Sequence, residues 1–464
     1  MFRFKQTCIG LCWCCIVTLR VYAQEQPHTI SLSSILQQVN TTAPSLVSDS
    51  AAVSVKQAQQ EATRYNWLPS LKFNYQANVG TNNNLPGGYF SYGIVPSNSK
   101  VRVEGNSSTI VTDLGIASFD WEVYNFGAFS AQQKVAASDV EVEQSKLEGS
   151  RYQLQAFTID YYLQLVRIQN LLAIQAQNIL RNTEIKRTIR SLAASGVKAG
   201  VDTSIAEAEL SKARLTYIEL SNQLKQAQLQ LSYISSIPAE QILPDTTIDK
   251  TLLQRYAGFV TTDIPDTANH PMMRYYRELY QNSLEKETLV KKSYLPKVSL
   301  QAAAWGRGSS VSAADEFRSL SNGLGFERAN YLVGVGITYN LFDLKKKQLQ
   351  LNVQKANTRY AQQKIAEQHS LLAVNNTQAD TELSTALERL DEIPHQLAAA
   401  QAAYRQKLSL YKNGLTDIVE LNAALSILYR AETDYTNAKY IFCKALFQKA
   451  ITENKVAPLL NLLN

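Results

Sequence analysis

Side chains able to do chemistry are sparse in this sequence, and their spacing limits what they can do. The four histidines, His28, His270, His369 and His395, are scattered along the chain. None stands in a zinc-binding spacing, and neither a phosphate loop nor a Gly-x-Ser-x-Gly elbow is present. Gly306-Arg307-Gly308 lacks the strand-turn-helix context of a nucleotide site. Four of the five cysteines, Cys8, Cys12, Cys14 and Cys15, crowd the N-terminus and leave Cys443 alone, so no intrachain disulfide is expected after N-terminal processing. We expect no enzyme here, and no cofactor or metal.

The charged groups that do recur lie beside two glycine turns. Gly196-Val197-Lys198-Ala199-Gly200-Val201-Asp202 is answered by Gly414-Leu415-Thr416-Asp417-Ile418-Val419-Glu420, with glycine and acid at the same interval. Carboxylates gathered around a narrow pore would focus a negative potential and favour cations. Local roles are open to the same residues: Asp202, before Thr203-Ser204-Ile205, suits a helix N-cap, Glu420 suits a first-turn acid favoured by the helix dipole, and Tyr411 suits ordinary packing at a helix end. A second charged feature is Lys345-Lys346-Lys347, with Lys291-Lys292 and Arg64 at related places. These cations would meet lipid phosphates with their stems on apolar surface, or simply solvate a helix end.

The elements that must position these groups come in two copies. Pro44 and Pro271 head one pair of segments, and Leu68-Pro69 and Leu295-Pro296 close them at the same separation. Such register marks an internal repeat. Residues 24–236 form the first copy and 269–453 the second, with 237–268 between them and 454–464 as a tail. Each copy reads helix, strand, loop, strand, very long helix, tight turn, helix.

Leu71, Phe73, Tyr75, Ala77 and Val79 alternate with polar neighbours, a period of two that predicts a strand at 71–80. Its partner is expected at 110–124, across a loop holding Pro86-Gly87-Gly88. The second copy predicts strands at 298–305 and 331–342. Long helices are predicted at 130–195 and 343–411, the second bent or broken at Pro394, and shorter ones at 202–235 and 416–453. Leu154, Thr158, Tyr161, Leu165, Ile168 and Leu172 follow coiled-coil spacing. In the last helix, a wide stripe of Leu421, Leu425, Leu428 and Phe442 with small residues beside it suits a wall that touches neighbours on two sides.

Residues 1–23 read as a secretory signal peptide, basic at Arg3 and Lys5, apolar from Ile9 to Leu19, and ending Val21-Tyr22-Ala23. Its removal takes away Arg3, Lys5 and Arg20, half of a formal charge of +6. A surface so nearly balanced offers no footprint for nucleic acid. No other apolar run approaches the roughly 20 residues a membrane helix needs, which leaves the strands. A sheet with open edges cannot lie in hydrocarbon, and the smallest membrane barrels have about eight strands. Four strands per chain therefore require several chains to share one barrel, and two, three or four would satisfy that count.

The Leu-Pro junctions, the strand-to-helix segments Tyr124-Asn125-Phe126-Gly127 and Asn340-Leu341-Phe342-Asp343, and the two Gly-to-acid turns together resemble the TolC-like outer-membrane factor family over nearly all of the mature chain. The resemblance implies a mixed, mainly α fold, in which a long α-helical coiled-coil barrel joins a transmembrane β-barrel shared between protomers, with 237–268 as an equatorial segment joined by the C-terminal tail. It implies a homotrimer in the outer membrane of a Gram-negative bacterium, reaching into the periplasm. A periplasmic adaptor and an inner-membrane pump would be its partners in efflux or type I secretion. By the same resemblance Asp202 and Tyr411 match a pair that holds the periplasmic tip shut, and Glu420 an acid of the entrance. Thr416, Val201 and Ala423 depart from that pattern, which implies a weaker latch. The competing reading is a periplasmic coiled-coil scaffold or adaptor, which would carry compact β-domains and a single hairpin.

Overall fold

The computed structural model describes residues 29–81, 83, 104–194, 200–256 and 269–463. The expected signal peptide, the Pro86-Gly87-Gly88 loop, the turn glycine Gly196 and the later part of the equatorial segment lie outside the described residues.

Helices α1 (Leu32–Thr42) and α2 (Pro44–Arg64) precede strands β1 (Ser70–Gly80) and β2 (Ile110–Tyr124). Helices α3 (Ala128–Ala194), α4 (Gly200–Ser235) and the short α5 (Ile248–Arg255) follow. The order then repeats as α6 (Pro271–Ser293), β3 (Lys297–Ser309), β4 (Arg328–Thr338), α7 (Asp343–Lys412) and α8 (Ile418–Thr452), with α9 (Val456–Asn461) at the end. Proline heads both α2 and α6 at the first helical turn, where a missing N–H costs nothing.

The strands form one antiparallel sheet in the order β1-β2-β3-β4. Tyr75 stands opposite Gly115, Gly115 opposite Gly306, and Gly306 opposite Ala329. Alternation carries Phe73, Tyr75, Val79, Tyr331, Val333 and Val335 to one face, all largely exposed. The other face carries Lys72, Asn74, Asp120 and Gln301, where Gln301 Nε2 donates to Asp120 Oδ2 at 2.9 Å and Lys297 pairs with Glu122 at 2.8 Å. The last strand departs from its sequence boundary, running Arg328–Thr338 rather than 331–342. Asn340 ends it: its Oδ1 accepts from Phe342 N–H at 3.2 Å, a local turn that competes with the ladder.

The 67 residues of α3 and 70 of α7 extend roughly 100 Å each at 1.5 Å per residue. Against α3 pack α2 and α4; against α7 pack α6 and α8; α3 also touches α6 and α8 and so joins the two copies. α7 is continuous through Pro394, so the helix is not broken there. Pro394 itself is exposed, and its missing N–H removes only the bond to the Leu390 carbonyl one turn earlier.

Of the predicted seam, Thr158, Leu165, Ile168 and Leu172 are buried, with Leu154 and Tyr161 packed beside them. Tyr162, Leu231, Phe442 and Leu446 complete this main core near mid-length, where α1, α5 and α9 join it. Fully burying one such leucine contributes roughly 2 kcal/mol. Tyr162 Oη donates to the Ile30 carbonyl at 2.8 Å and accepts from Asp245 N–H at 2.9 Å. Burial foremost pushes that phenol well above its ordinary range.

Candidate functional site

Two places carry the side chains singled out by sequence: the helical turn at the far end of α7 and α8, and the sheet with the helix ends beneath it. At the turn, Gly414 adopts φ +77°, a conformation open to glycine and costly for residues with a Cβ. Gly414 N–H donates to Tyr411 O at 3.0 Å and Leu415 N–H to Leu410 O at 2.9 Å, the paired 5→2 and 6→1 bonds of a Schellman ending. Asp417, rather than Thr416, begins the next helix: its side chain accepts from Glu420 N–H at 2.8 Å. The spacing Asp417-x-x-Glu420 is a capping signal, and it identifies a residue that the repeat comparison passed over.

Glu420 lies in the first turn of α8, where its Oε2 accepts from Lys407 Nζ at 2.5 Å and from Thr416 Oγ1 at 2.6 Å. Lys407 first, then Thr416, hold its carboxyl below the usual range. Asp202 lies in the first turn of α4, which begins at Gly200; it is not the cap that its neighbours suggested. Tyr411 is buried among Ile185, Ile189, Ala206, Ile418 and Leu421. Burial, and then the charge of Asp202, push its phenol up to about 12. The structure thus brings Asp202 and Tyr411 into electrostatic contact and gives Glu420 a partner within its own hairpin.

Ion pairs tie the surrounding helices. Arg181 of α3 grips Glu432 of α8 with both guanidinium nitrogens at 2.7 and 2.8 Å, and Lys186 pairs with Glu207 across α3 and α4. Sequence reasoning missed the Arg181 and Glu432 pair because its members are distant in the chain.

At the helix end of the sheet, Trp67, Tyr124, Phe126, Tyr339 and Phe342 stand exposed, and Trp121 Nε1 donates to Trp67 O at 2.8 Å. Aromatic rings gathered at one level suit a membrane interface. Lys345 and Lys346 are exposed and Lys347 half-buried at the start of α7, without an ion pair among the described residues. Arg64 and Lys291 instead pair within their own helices, with Glu61 at 3.1 Å and Glu287 at 2.8 Å. No helix among the described residues is long and apolar enough to cross a membrane.

The family model described as outer membrane efflux protein matches residues 35–235 and 267–446, one segment for each copy of the repeat. Several solved structures share the fold. The outer-membrane channel OprN aligns with a TM-score of 0.69 at 18% identity, covering 91% of this chain and 90% of that one. CmeC, the outer membrane channel of Campylobacter jejuni, aligns at 0.71 and 14%, covering 92% and 86%. The open state of MtrE, an outer membrane channel of Neisseria gonorrhoeae, aligns at 0.64 and 16%, covering 92% and 89%. No curated protein matches in sequence.

Proposed function

Because this chain belongs to the outer membrane efflux protein family, we propose that it is one subunit of an efflux duct that crosses the outer membrane and extends into the periplasm. The observation that carries the reading is an amphipathic four-stranded sheet whose outer edges, on β1 and β4, have no strand partner among the described residues. In hydrocarbon those edge groups must be paired. As β1 and β4 run in opposite senses, the β4 of one copy meets the β1 of the next in an antiparallel seam, and a ring of copies closes without any edge.

Three copies supply twelve strands, and their α3/α4 and α7/α8 hairpins continue the cylinder as a helical tunnel. Such a homotrimer takes cargo from an inner-membrane pump through a periplasmic adaptor, in tripartite efflux or type I secretion. The duct does no covalent chemistry on what passes. Outer-membrane lipid surrounds the apolar face of the sheet, and Lys345, Lys346 and Lys347 meet phosphate headgroups on the periplasmic side.

The hairpin turns form the periplasmic gate. Asp202 beside Tyr411 supports a polar latch at the closed tip, with Gly414 providing the tight turn between α7 and α8. Glu420 lines the entrance and, while paired with Lys407, contributes less negative potential than a free carboxylate. In planar bilayers, Asp202→Ala with Tyr411→Phe is expected to raise single-channel conductance. Unchanged conductance and unchanged opening probability would reject this latch.

A further inference from the structure

Arg307 and Arg328 stand directly opposite each other at the external end of β3 and β4. Side chains so placed have Cβ atoms about 5 Å apart, and like charges there repel. Alternation fixes the face they share. Gly306, Gly308 and Ala329, their neighbours along the two strands, belong with Tyr75 to the apolar face, so both arginines belong to the polar one, in a rung that runs Gln76, Leu114, Arg307, Arg328. Both are exposed. The next rung on that face pairs Trp305 with Asn330 and adds an indole N–H and an amide to the donors.

Neither arginine forms an ion pair among the described residues. Glu327, whose N–H donates to the Arg307 carbonyl at 3.0 Å, has its carboxylate held by Arg318 at 3.1 Å. Asp113, one residue before Leu114, is buried on the opposite face, with the Tyr75 hydroxyl 3.5 Å away. Asp120, the first acid met along the polar face of the strands from this end, comes six residues after Leu114 on β2. That is roughly 20 Å at about 3.3 Å per residue, beyond the screening length of about 10 Å for exposed charges in 0.1 M salt. The segment between β3 and β4 leaves the pair uncovered, because it folds over the apolar face instead. A Cβ on Gly323 would lie 2.1 Å from the Val111 carbonyl oxygen, and Phe326 closes over Gly115 and Gly306, where an added Cβ would meet its ring at 2.5 and 2.9 Å.

We propose that Arg307 and Arg328 form a binding site for a soluble, multiply charged oxyanion of the phosphate type, facing the water of the duct at its external mouth. The location rests on the duct reading, which turns the polar face of the sheet toward the lumen. Each guanidinium presents a planar fork of donors that matches two oxygens of a phosphate, where a lysine would offer a point charge. Two forks side by side suit one group of two or more charges, and that group cancels the repulsion across the rung. A solute is favoured over a lipid phosphate because the rung lies on the face turned away from hydrocarbon. The rung occurs once in each copy, so a ring of copies sets the pairs at one height around the mouth, where their field favours anions.

The test uses the assembled full-length channel in detergent at low salt, titrated by calorimetry with pyrophosphate in the absence of divalent metal, with bilayer conductance measured in parallel. The wild type is expected to bind pyrophosphate and to unfold at a higher temperature in its presence. Arg307→Gln with Arg328→Gln should weaken binding at least tenfold and, freed of the repulsion, should unfold no earlier than the wild type when the anion is absent. Arg307→Lys with Arg328→Lys keeps the charge and loses the forks, so it should bind several-fold more weakly than the wild type, which decides the matter if the glutamine variant fails to assemble. Affinity equal to that of the wild type in either double variant overturns the proposal. Lipid A carried through extraction and counted by native mass spectrometry should be the same for the wild type and the glutamine variant; a loss confined to the variant would assign the arginines to lipid phosphate and overturn the soluble-anion site. A wild type that binds pyrophosphate and carries no current keeps the site and counts against the duct.

Discussion

Arg181 and Glu432 meet through two nearly parallel hydrogen bonds of 2.8 and 2.7 Å, and this bidentate pair joins the long helix of the first repeat to the last long helix of the second. Both side chains are partly screened from water, at 25% and 16% exposure. Such a fork is stronger than a typical surface pair, although screening by solvent trims its value. Arg181→Ala or Glu432→Gln is expected to cost about 1–2 kcal/mol of stability. A double-mutant cycle followed by thermal unfolding should show coupling that shrinks as salt is raised. Additive losses would show that the two side chains act independently.

His270 predicts a pH dependence in the acid range. Its Nδ1 accepts from Met272 N–H at 3.3 Å and caps α6, while Nε2 lies 3.3 Å from the Ile451 carbonyl and is placed to donate to it. Burial lowers its basicity, outweighing that backbone bond. The unfolded chain therefore takes up a proton near pH 6.5 that the folded chain refuses until lower pH. Stability is fully present above that value and falls as pH drops through it toward the lowered folded-state value. His270→Asn keeps a capping side chain and should flatten this part of the pH–stability curve. An unchanged slope assigns the effect to other groups.

Cys443 is buried in the mid-length core of α8. Burial foremost, then the charge of Asp249, pushes its thiol up to about 12. Because the thiolate is the nucleophile, the folded protein should resist maleimide at pH 8 and react in full once unfolded. Rapid labelling of folded channel would show that this part of the core opens.

Gly414→Ala isolates the backbone cost of the tight turn. Nothing lies within 4 Å of an added Cβ there, yet φ is +77°. The loss should be about 1 kcal/mol, and hydrogen exchange should quicken in the last turn of α7 and the first of α8. No change in either measure would mean that the turn takes another conformation.

Much of this architecture can be read from local patterns. Leu71 to Val79 alternate so regularly that the strand and its outward face follow from period alone, and the repeated Leu-Pro junctions place the second sheet half by analogy with the first. Gly414 foretells a helix end because a left-handed residue is needed there. What escaped depends on neighbours far along the chain. Nothing near Phe326 announces that it will cover Gly115 and Gly306, and Arg181 gives no local sign of Glu432. The break expected at Pro394 is absent because the proline removes a single hydrogen bond from a helix that packs along α8 for much of its length. The Asp417-x-x-Glu420 cap was legible but lay hidden inside a turn examined for its glycine.

The account depends on β1 and β4 finding partners in sister copies. Single cysteines placed along each of these two strands, combined pairwise and oxidised in native outer membranes, test that contact directly. The account predicts crosslinks between subunits at a set of positions that slide in antiparallel register, with products rising to a covalent trimer and no further. Crosslinks confined to one chain, or a protein recovered as a water-soluble monomer with both edges unreactive, would contradict it.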